Sequence, residues 1–133
     1  MTESAAISNL KKAQVFIDAL RERGYRIALD DFGAGLSSFA YLKDFNVDAL
    51  KIDGSFIRDM EKNRISESMV AAITQVAKVM ELETIAEYVE SEAIHELIVK
   101  LGVDYAQGHY VGEPISLDDV LQRMAADLDA SIA

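Results

Sequence analysis

Apolar residues recur at helical spacing early in the chain. Leu10, Ala13, Phe16, Ile17 and Leu20 fall on one face of a helix expected from Ser4 to Arg23, and Gly24 stands where a C-terminal cap belongs. Tyr25 to Asp30 is a short, mostly apolar run leading into the carboxylates Asp30 and Asp31, and it reads as a strand. A glycine-bearing loop follows, Phe32-Gly33-Ala34-Gly35, and the pair Ser37-Ser38 is placed to cap a short helix through Leu42.

The alternation then repeats. Ala49 to Ile52 reads as a second strand, and after an irregular stretch Met69, Ile73, Val76, Ala77 and Met80 mark one face of a longer helix. Thr84 to Val89 is the third strand expected. Ser91 begins a helix carrying Ile94, Leu97, Ile98 and Leu101, Gly102 ends it, and Val103 to Ala106 forms a fourth short strand. Beyond Gln107 the chain turns through Gly108, Gly112 and Pro114. Ser116 then caps a last helix with Leu117, Val120, Leu121, Met124 and Leu128 on one side.

Strands that alternate with helices imply a parallel sheet, because parallel neighbours need crossover connections and these are right-handed. The expected class is α/β, with about four parallel strands and covering helices. No proline-rich linker or low-complexity tract divides the chain.

Composition narrows the function. Half of the 133 residues are apolar, enough for a packed core of ordinary domain size. With 23 acidic against 13 basic residues the net charge is −10, which repels nucleic-acid backbone and anionic lipid, so no nucleic-acid polymer is expected as a partner. The chain has no cysteine, hence no disulfide framework or thiolate metal site. It shows neither a secretory signal pattern nor an apolar run of membrane-spanning length, so the expected compartment is the cytoplasm.

The informative polar residues share a position. Asp30 and Asp31, Lys51 and Asp53, Glu87, and Gln107 each stand at or just beyond the C-terminal end of an expected strand. In parallel α/β folds that edge carries the active site. Adjacent carboxylates with a further glutamate are hard-oxygen ligands suited to Mg²⁺ or Mn²⁺, and a lysine among them pairs with a carboxylate or stabilises developing negative charge. A strand-end carboxylate alone also serves merely to meet solvent, so the weight lies on their joint occurrence.

Other chemistry finds less support. His95 lies inside an amphipathic helix and reads as a surface or packing residue; His109, after Gln107, is nearer the suspected site but alone. The serine pair has no histidine close in sequence, and Gly33-Ala34-Gly35 is too short for a dinucleotide-binding fingerprint.

At these residues the sequence resembles the bacterial EAL-domain family, phosphodiesterases that open the second messenger cyclic di-GMP. The matching segments are Ala28-Leu29-Asp30-Asp31-Phe32-Gly33-Ala34-Gly35-Leu36-Ser37-Ser38, Leu50-Lys51-Ile52-Asp53, Ala86-Glu87-Tyr88-Val89-Glu90, and Gln107-Gly108 with Pro114 behind, in family order over residues 2–122. The resemblance implies a TIM-type (β/α)8 barrel with two divalent metals, Mg²⁺ or Mn²⁺, one activating a water for in-line attack on a phosphodiester. It implies Asp30, Asp31 and Glu87 as metal ligands. Lys51 and Glu87 would be catalytic, holding and assisting the attacking water, with Glu90 and Gln107 in the substrate or supporting shell. Thr2-Glu3-Ser4 is similar to the end of the family's Glu-x-Thr-Glu-Ser element, which makes Glu3 the anchor of the loop starting at Asp31.

Departures from the family pattern shape the expectation for this chain. The first glutamate of that element, the glutamate-alanine-leucine signature and an asparagine ligand would all precede Met1. A complete barrel takes about 250 residues, so residues 1–133 are expected to be a partial EAL domain, the C-terminal half of a TIM-type barrel with its N-terminal half absent. Without those ligands the isolated chain is expected to be nearly inactive. Its open sheet edges call for a homodimer or for pairing with a missing N-terminal half. Tyr88 replaces the family's usual glycine, and His109 sits where an aromatic residue is common. The alternative to a phosphodiesterase fragment is a non-catalytic cyclic di-GMP receptor or interaction module. A response-regulator-like domain fits less well, because Lys51 follows the second strand and not a late one.

Overall fold

Two helices, not one, precede the first strand. The structure, a computed structural model, describes residues 1–34 and 39–132 and the side chains of all of these but 131 and 132. The stretch expected as one helix from Ser4 to Arg23 divides into α1 (Glu3–Ser8) and α2 (Leu10–Glu22). The break is at Asn9, whose extended backbone lets its side chain accept from the Lys12 N–H at 3.2 Å, an N-cap that periodicity does not reveal. Thr2 caps α1 in the same way, through the Ala5 N–H.

The remaining elements follow in order: β1 (Ala28–Phe32), a 3₁₀ turn (Phe39–Asp44), β2 (Ala49–Ile52), α3 (Gly54–Asp59), α4 (Arg64–Val79), β3 (Glu83–Ala86), α5 (Glu92–Leu101), β4 (Tyr105–Ala106) and α6 (Leu117–Ile132). The short helix expected after Ser37-Ser38 is this 3₁₀ turn; Gly35, Leu36, Ser37 and Ser38 themselves lie outside the described residues. The stretch before Met69, expected to be irregular, contains α3 and the first turn of α4, which Asn63 caps by accepting from the Ile65 N–H at 2.9 Å. Six residues are too few for α3 to declare a period. The helix from Ser91 to Gly102 is as expected, with the Ser91 side chain accepting from Ile94 and Gly102 left-handed at φ 83°.

All strands are parallel and pair in sequence order, β1-β2-β3-β4. Order without reversal is the winding of a barrel, whereas open doubly wound sheets turn back at a switch point. A parallel bridge from Thr2 to Asp30 carries the sheet one step past β1. On one face Leu50, Ile52, Thr84 and Ala86 are fully covered, and their core continues into Ile57 of α3, Val70, Ile73 and Ala77 of α4, and Ile94 and Ile98 of α5. By strand alternation Ala49, Lys51, Glu83 and Ile85 belong to the opposite face.

The N-terminal ends of the strands are pinned by carboxylates. Asp48 accepts from the Ile27 N–H at 2.7 Å and meets Arg21 at 2.6 Å, while Asp104 accepts from the Thr84 N–H at 2.8 Å. These contacts fix the register of β1 on β2 and of β3 on β4. The C-terminal ends are left to chemistry.

Candidate metal centre

The parallel register delivers side chains from three strands to one rim. Lys51 is the third residue of β2 and pairs in register with Ile85, which places it level with the end of β3, where Glu87 follows immediately. The Lys51 ammonium donates to Glu87 Oε1 at 2.9 Å, with both side chains largely covered. That hydrogen bond, with the charges of Glu87, Asp30 and Asp31, holds the lysine above its ordinary range against the opposing effect of burial. Lys51 is a fixed cation here, not a base.

On the neighbouring strand the register slips between Leu29 and Phe32, and Asp31 adopts a left-handed backbone at φ 53°. The irregularity turns two consecutive side chains toward the rim, where strict alternation would send one to each face. The Asp31 N–H donates back to Asp30 Oδ1 at 2.9 Å. One carboxylate oxygen each from Asp30, Asp31 and Glu87 lies within 4.8 Å of the others.

That donor set fits a hard divalent cation. Octahedral coordination at about 2.1 Å places ligand oxygens about 3 to 4.2 Å apart, and Ca²⁺ at about 2.4 Å spreads them further, so these oxygens reach one ion with small adjustments. Three carboxylates against one ammonium leave an excess of negative charge that such an ion would neutralise.

Glu3 stands behind this loop. Buried at 2 % exposure in the first turn of α1, it accepts from the Gly33 N–H at 3.0 Å and from the Tyr41 hydroxyl. Its carboxylate thereby ties the residues after Asp31 to the 3₁₀ turn. Gly33 is left-handed at φ 98°, and a side chain there would press on Phe56, 2.8 Å from Cε2.

The other expected residues divide. Gln107 continues the sheet, its N–H donating to Ala86 O at 2.8 Å and its carbonyl accepting from Val89 at 3.0 Å. It lines a cleft of about 560 Å³ with Glu87, Tyr88, Glu90 and His109. His95 is a packing residue, its ring 5.3 Å from that of Tyr110. Asp53 does not join the carboxylate group; it accepts from Ser55 at the start of α3.

Tyr88 is the residue whose role sequence reading left open. Its backbone is left-handed at φ 59°, a conformation that glycine adopts without strain. The ring occupies the space that a side chain on Gly54 would need, and Arg58 lies over it with its guanidinium carbon 4.6 Å from the centroid. The ring is therefore held against α3. The left-handed backbone at this position has no signature in the local sequence, since tyrosine does not favour it.

The EAL domain model matches residues 1–114. The chain belongs to the EAL domain family. It is 46% identical over 124 residues to the cyclic di-GMP phosphodiesterase PdeF of Escherichia coli (strain K12), covering 93% of this chain and 17% of PdeF. The PaMucR phosphodiesterase in complex with c-di-GMP superposes with a TM-score of 0.86 at 34% identity, over 90% of this chain and 49% of that one. BlrP1 of Klebsiella pneumoniae, in a manganese/cy-diGMP complex, superposes with a TM-score of 0.75 at 29% identity, over 80% of this chain and 27% of that one. The four strands of this EAL chain correspond to part of the TIM barrel of these relatives. The chain spans about half the length of the PaMucR structure and less than a fifth of PdeF. Among the described residues no helix is long and apolar enough to cross a membrane.

Proposed function

We propose that residues 1–133 are the C-terminal half of an EAL domain and contribute the acidic rim of a cyclic di-GMP phosphodiesterase site. The observation that carries this reading is the convergence of Asp30, Asp31 and Glu87, one carboxylate oxygen from each within 4.8 Å of the others, beside a Lys51 bonded to Glu87 at 2.9 Å. Hard divalent ions are the group these donors suit, Mg²⁺ or Mn²⁺, and such an ion supplies an activated water and charge neutralisation at a phosphodiester. Asp30, Asp31 and Glu87 would hold it.

The chain's own residues divide the remaining work. Lys51, fixed by Glu87, keeps a positive charge at the rim, where it orients an attacking water and offsets charge building on a phosphoryl oxygen. Glu87 would accept a proton from that water. Glu90, Gln107 and His109 wall the adjacent cleft of about 560 Å³, where part of the dinucleotide would sit. Glu3 shapes the loop that presents Asp31.

Three carboxylates serve one ion and not a pair about 3.5 to 4 Å apart, so the isolated chain is expected to bind Mn²⁺ and turn over cyclic di-GMP at a negligible rate. Calorimetric titration with Mn²⁺, together with chromatographic detection of the linear dinucleotide, tests both halves of the statement. Measurable hydrolysis by the pure chain refutes the inactivity, and absence of Mn²⁺ binding refutes the metal site. A receptor reading would gain if cyclic di-GMP bound equally well in EDTA.

A further inference from the structure

Tyr88 holds a conformation that its own chemistry resists. Among the described residues three other than glycine are left-handed: Asp31, Glu81 and Tyr88. Glu81 is accounted for by the end of α4, where Leu82 donates to Ala77 O at 2.8 Å as at an ordinary helix terminus. The other two belong to the acidic rim, since Asp31 is one of its carboxylates and Tyr88 directly follows another, Glu87. Glycine at 88 would escape the cost that a side chain meets at φ 59°. Such a conformation persists only where its surroundings hold it.

Two contacts supply the hold, and both come from α3. A Cβ on Gly54 would lie 2.6 Å from Tyr88 Cε2 and 3.0 Å from Cγ, so only glycine there leaves the ring its place. Four residues on, one turn along the same face of α3, Arg58 covers the ring with its guanidinium. None of the ion pairs among the described residues includes Arg58. Helix α3 directly follows β2, and Gly54 stands three residues beyond Lys51. The ring thus joins the end of β3 to the element that continues β2. The Lys51–Glu87 bond at 2.9 Å joins the same two strand ends beside it.

The flanking backbone cannot absorb a change. Ala86 O accepts from the Gln107 N–H, Val89 donates to Gln107 O and accepts from Tyr110, and Ala86 and Val89 are both fully buried. Only Glu87 and Tyr88 stand between these two anchors. A residue 88 released from α3 returns toward negative φ, and with both neighbours tied the rotation is taken up at the peptide joining it to Glu87. The Glu87 side chain is then turned off the rim. We propose that Tyr88 is a positioning residue whose ring, held by Gly54 and Arg58, locks the left-handed turn that aims Glu87 at Asp30 and Asp31. The consequence for metal affinity rests on the function proposed above; the locked turn itself does not.

The test uses the full chain, with circular dichroism confirming that each variant is folded. One readout is calorimetric titration with Mn²⁺. The other, taken without metal, is the strong intraresidue amide-to-Hα NMR cross-peak that a left-handed residue gives. Tyr88→Phe keeps the ring and should match the wild type in both. Tyr88→Ala keeps the backbone penalty but loses the ring, so its cross-peak should weaken and its Mn²⁺ affinity fall about fivefold or more, the population shift that a left-handed penalty commands. Tyr88→Gly loses ring and penalty together and should bind Mn²⁺ more tightly than Tyr88→Ala, an order that mere loss of packing would not produce. Gly54→Ala unseats the ring and should weaken binding as Tyr88→Ala does, whereas in the Tyr88→Gly background it should cost nothing further. Wild-type affinity or an intact cross-peak in Tyr88→Ala overturns the proposal; should that variant fail to fold, Gly54→Ala carries the same comparison. A wild-type chain that binds no Mn²⁺ refutes the metal site instead, and the cross-peak then decides alone, in favour of the lock if lost and against it if kept.

Discussion

Replacing Gly54 by alanine should destabilise the protein, although alanine is the better helix former. The added methyl group would stand 2.6 Å from Tyr88 Cε2 and closer to Cδ2, so the ring must leave its seat. Overpacking of this kind costs about 1 to 3 kcal/mol, and the propensity gain of at most about 1 kcal/mol at the first position of α3 offsets only part. A net loss of about 1 to 2 kcal/mol follows. Tyr88→Gly removes the obstacle and works in two directions. It relieves about 1 to 2 kcal/mol of left-handed strain, but it forfeits about 0.5 to 1 kcal/mol of contact with Arg58 and the apolar burial of a half-covered ring. In that background Gly54→Ala meets empty space and should be neutral or stabilising. Urea unfolding of the wild type, both single variants and the double variant yields the coupling energy, expected near 2 kcal/mol. Equal costs of Gly54→Ala in both backgrounds, within about 0.5 kcal/mol, would refute the packing of Tyr88 on α3.

Two further outcomes follow from buried carboxylates. Glu3→Ala leaves the Gly33 N–H without its acceptor inside the protein and removes the tie to Tyr41, so stability should fall by about 3 kcal/mol, read as a urea midpoint lower by about 2 M. At Asp48 burial pushes the carboxyl up, but Arg21 and the Ile27 N–H outweigh it and hold the group below its ordinary value. A carboxyl held down in the folded state adds stability above its unfolded value of about 3.9, and that contribution fades as pH falls through the folded value. The stability gap between wild type and Asp48→Asn should accordingly be full at neutral pH and shrink below about pH 4, measured by thermal unfolding across that range.

Legibility in the sequence followed the range of the interactions. Ser91 and Gly102 bracket α5 because capping is local chemistry, and Lys51 and Glu87 could be placed near each other because strand ends share an edge in any parallel sheet. The joining of two neighbouring acids was harder. Asp30 and Asp31 reach one rim only because the register slips and Asp31 turns left-handed, which alternation would have forbidden. Asp53 looked equivalent to them and is diverted by Ser55, two residues on. Phe16 and the α6 stripe, both exposed, show the reverse limit: periodicity identifies an apolar face and is silent on what the face meets. The contact between Tyr88 and Gly54 joins residues far apart in the chain, and no local signal predicts it.

The two ends of the sheet are built on opposite electrostatic terms, and the difference locates function. At the N-terminal ends each acid meets a cation or a backbone donor: Asp48 with Arg21 and Ile27, Glu83 with Arg26, Asp104 with Thr84. Such pairing contributes to register and leaves little to attract a ligand. At the C-terminal rim Asp30, Asp31 and Glu87 crowd together around one lysine, an arrangement whose mutual repulsion lowers stability. A folded protein tolerates that cost where the unsatisfied charge has a use. The backbone that sustains it is correspondingly overdetermined, by the buried Glu3 carboxylate behind the loop on one side and by the Tyr88 ring seated on Gly54 on the other. Both hold the backbone beside the rim: Glu3 through the Gly33 N–H, two residues after Asp31, and Tyr88 next to Glu87 in the chain. The rim depends on residues from α1, α3 and three strands, so its chemistry is a property of the assembled sheet and not of any one motif.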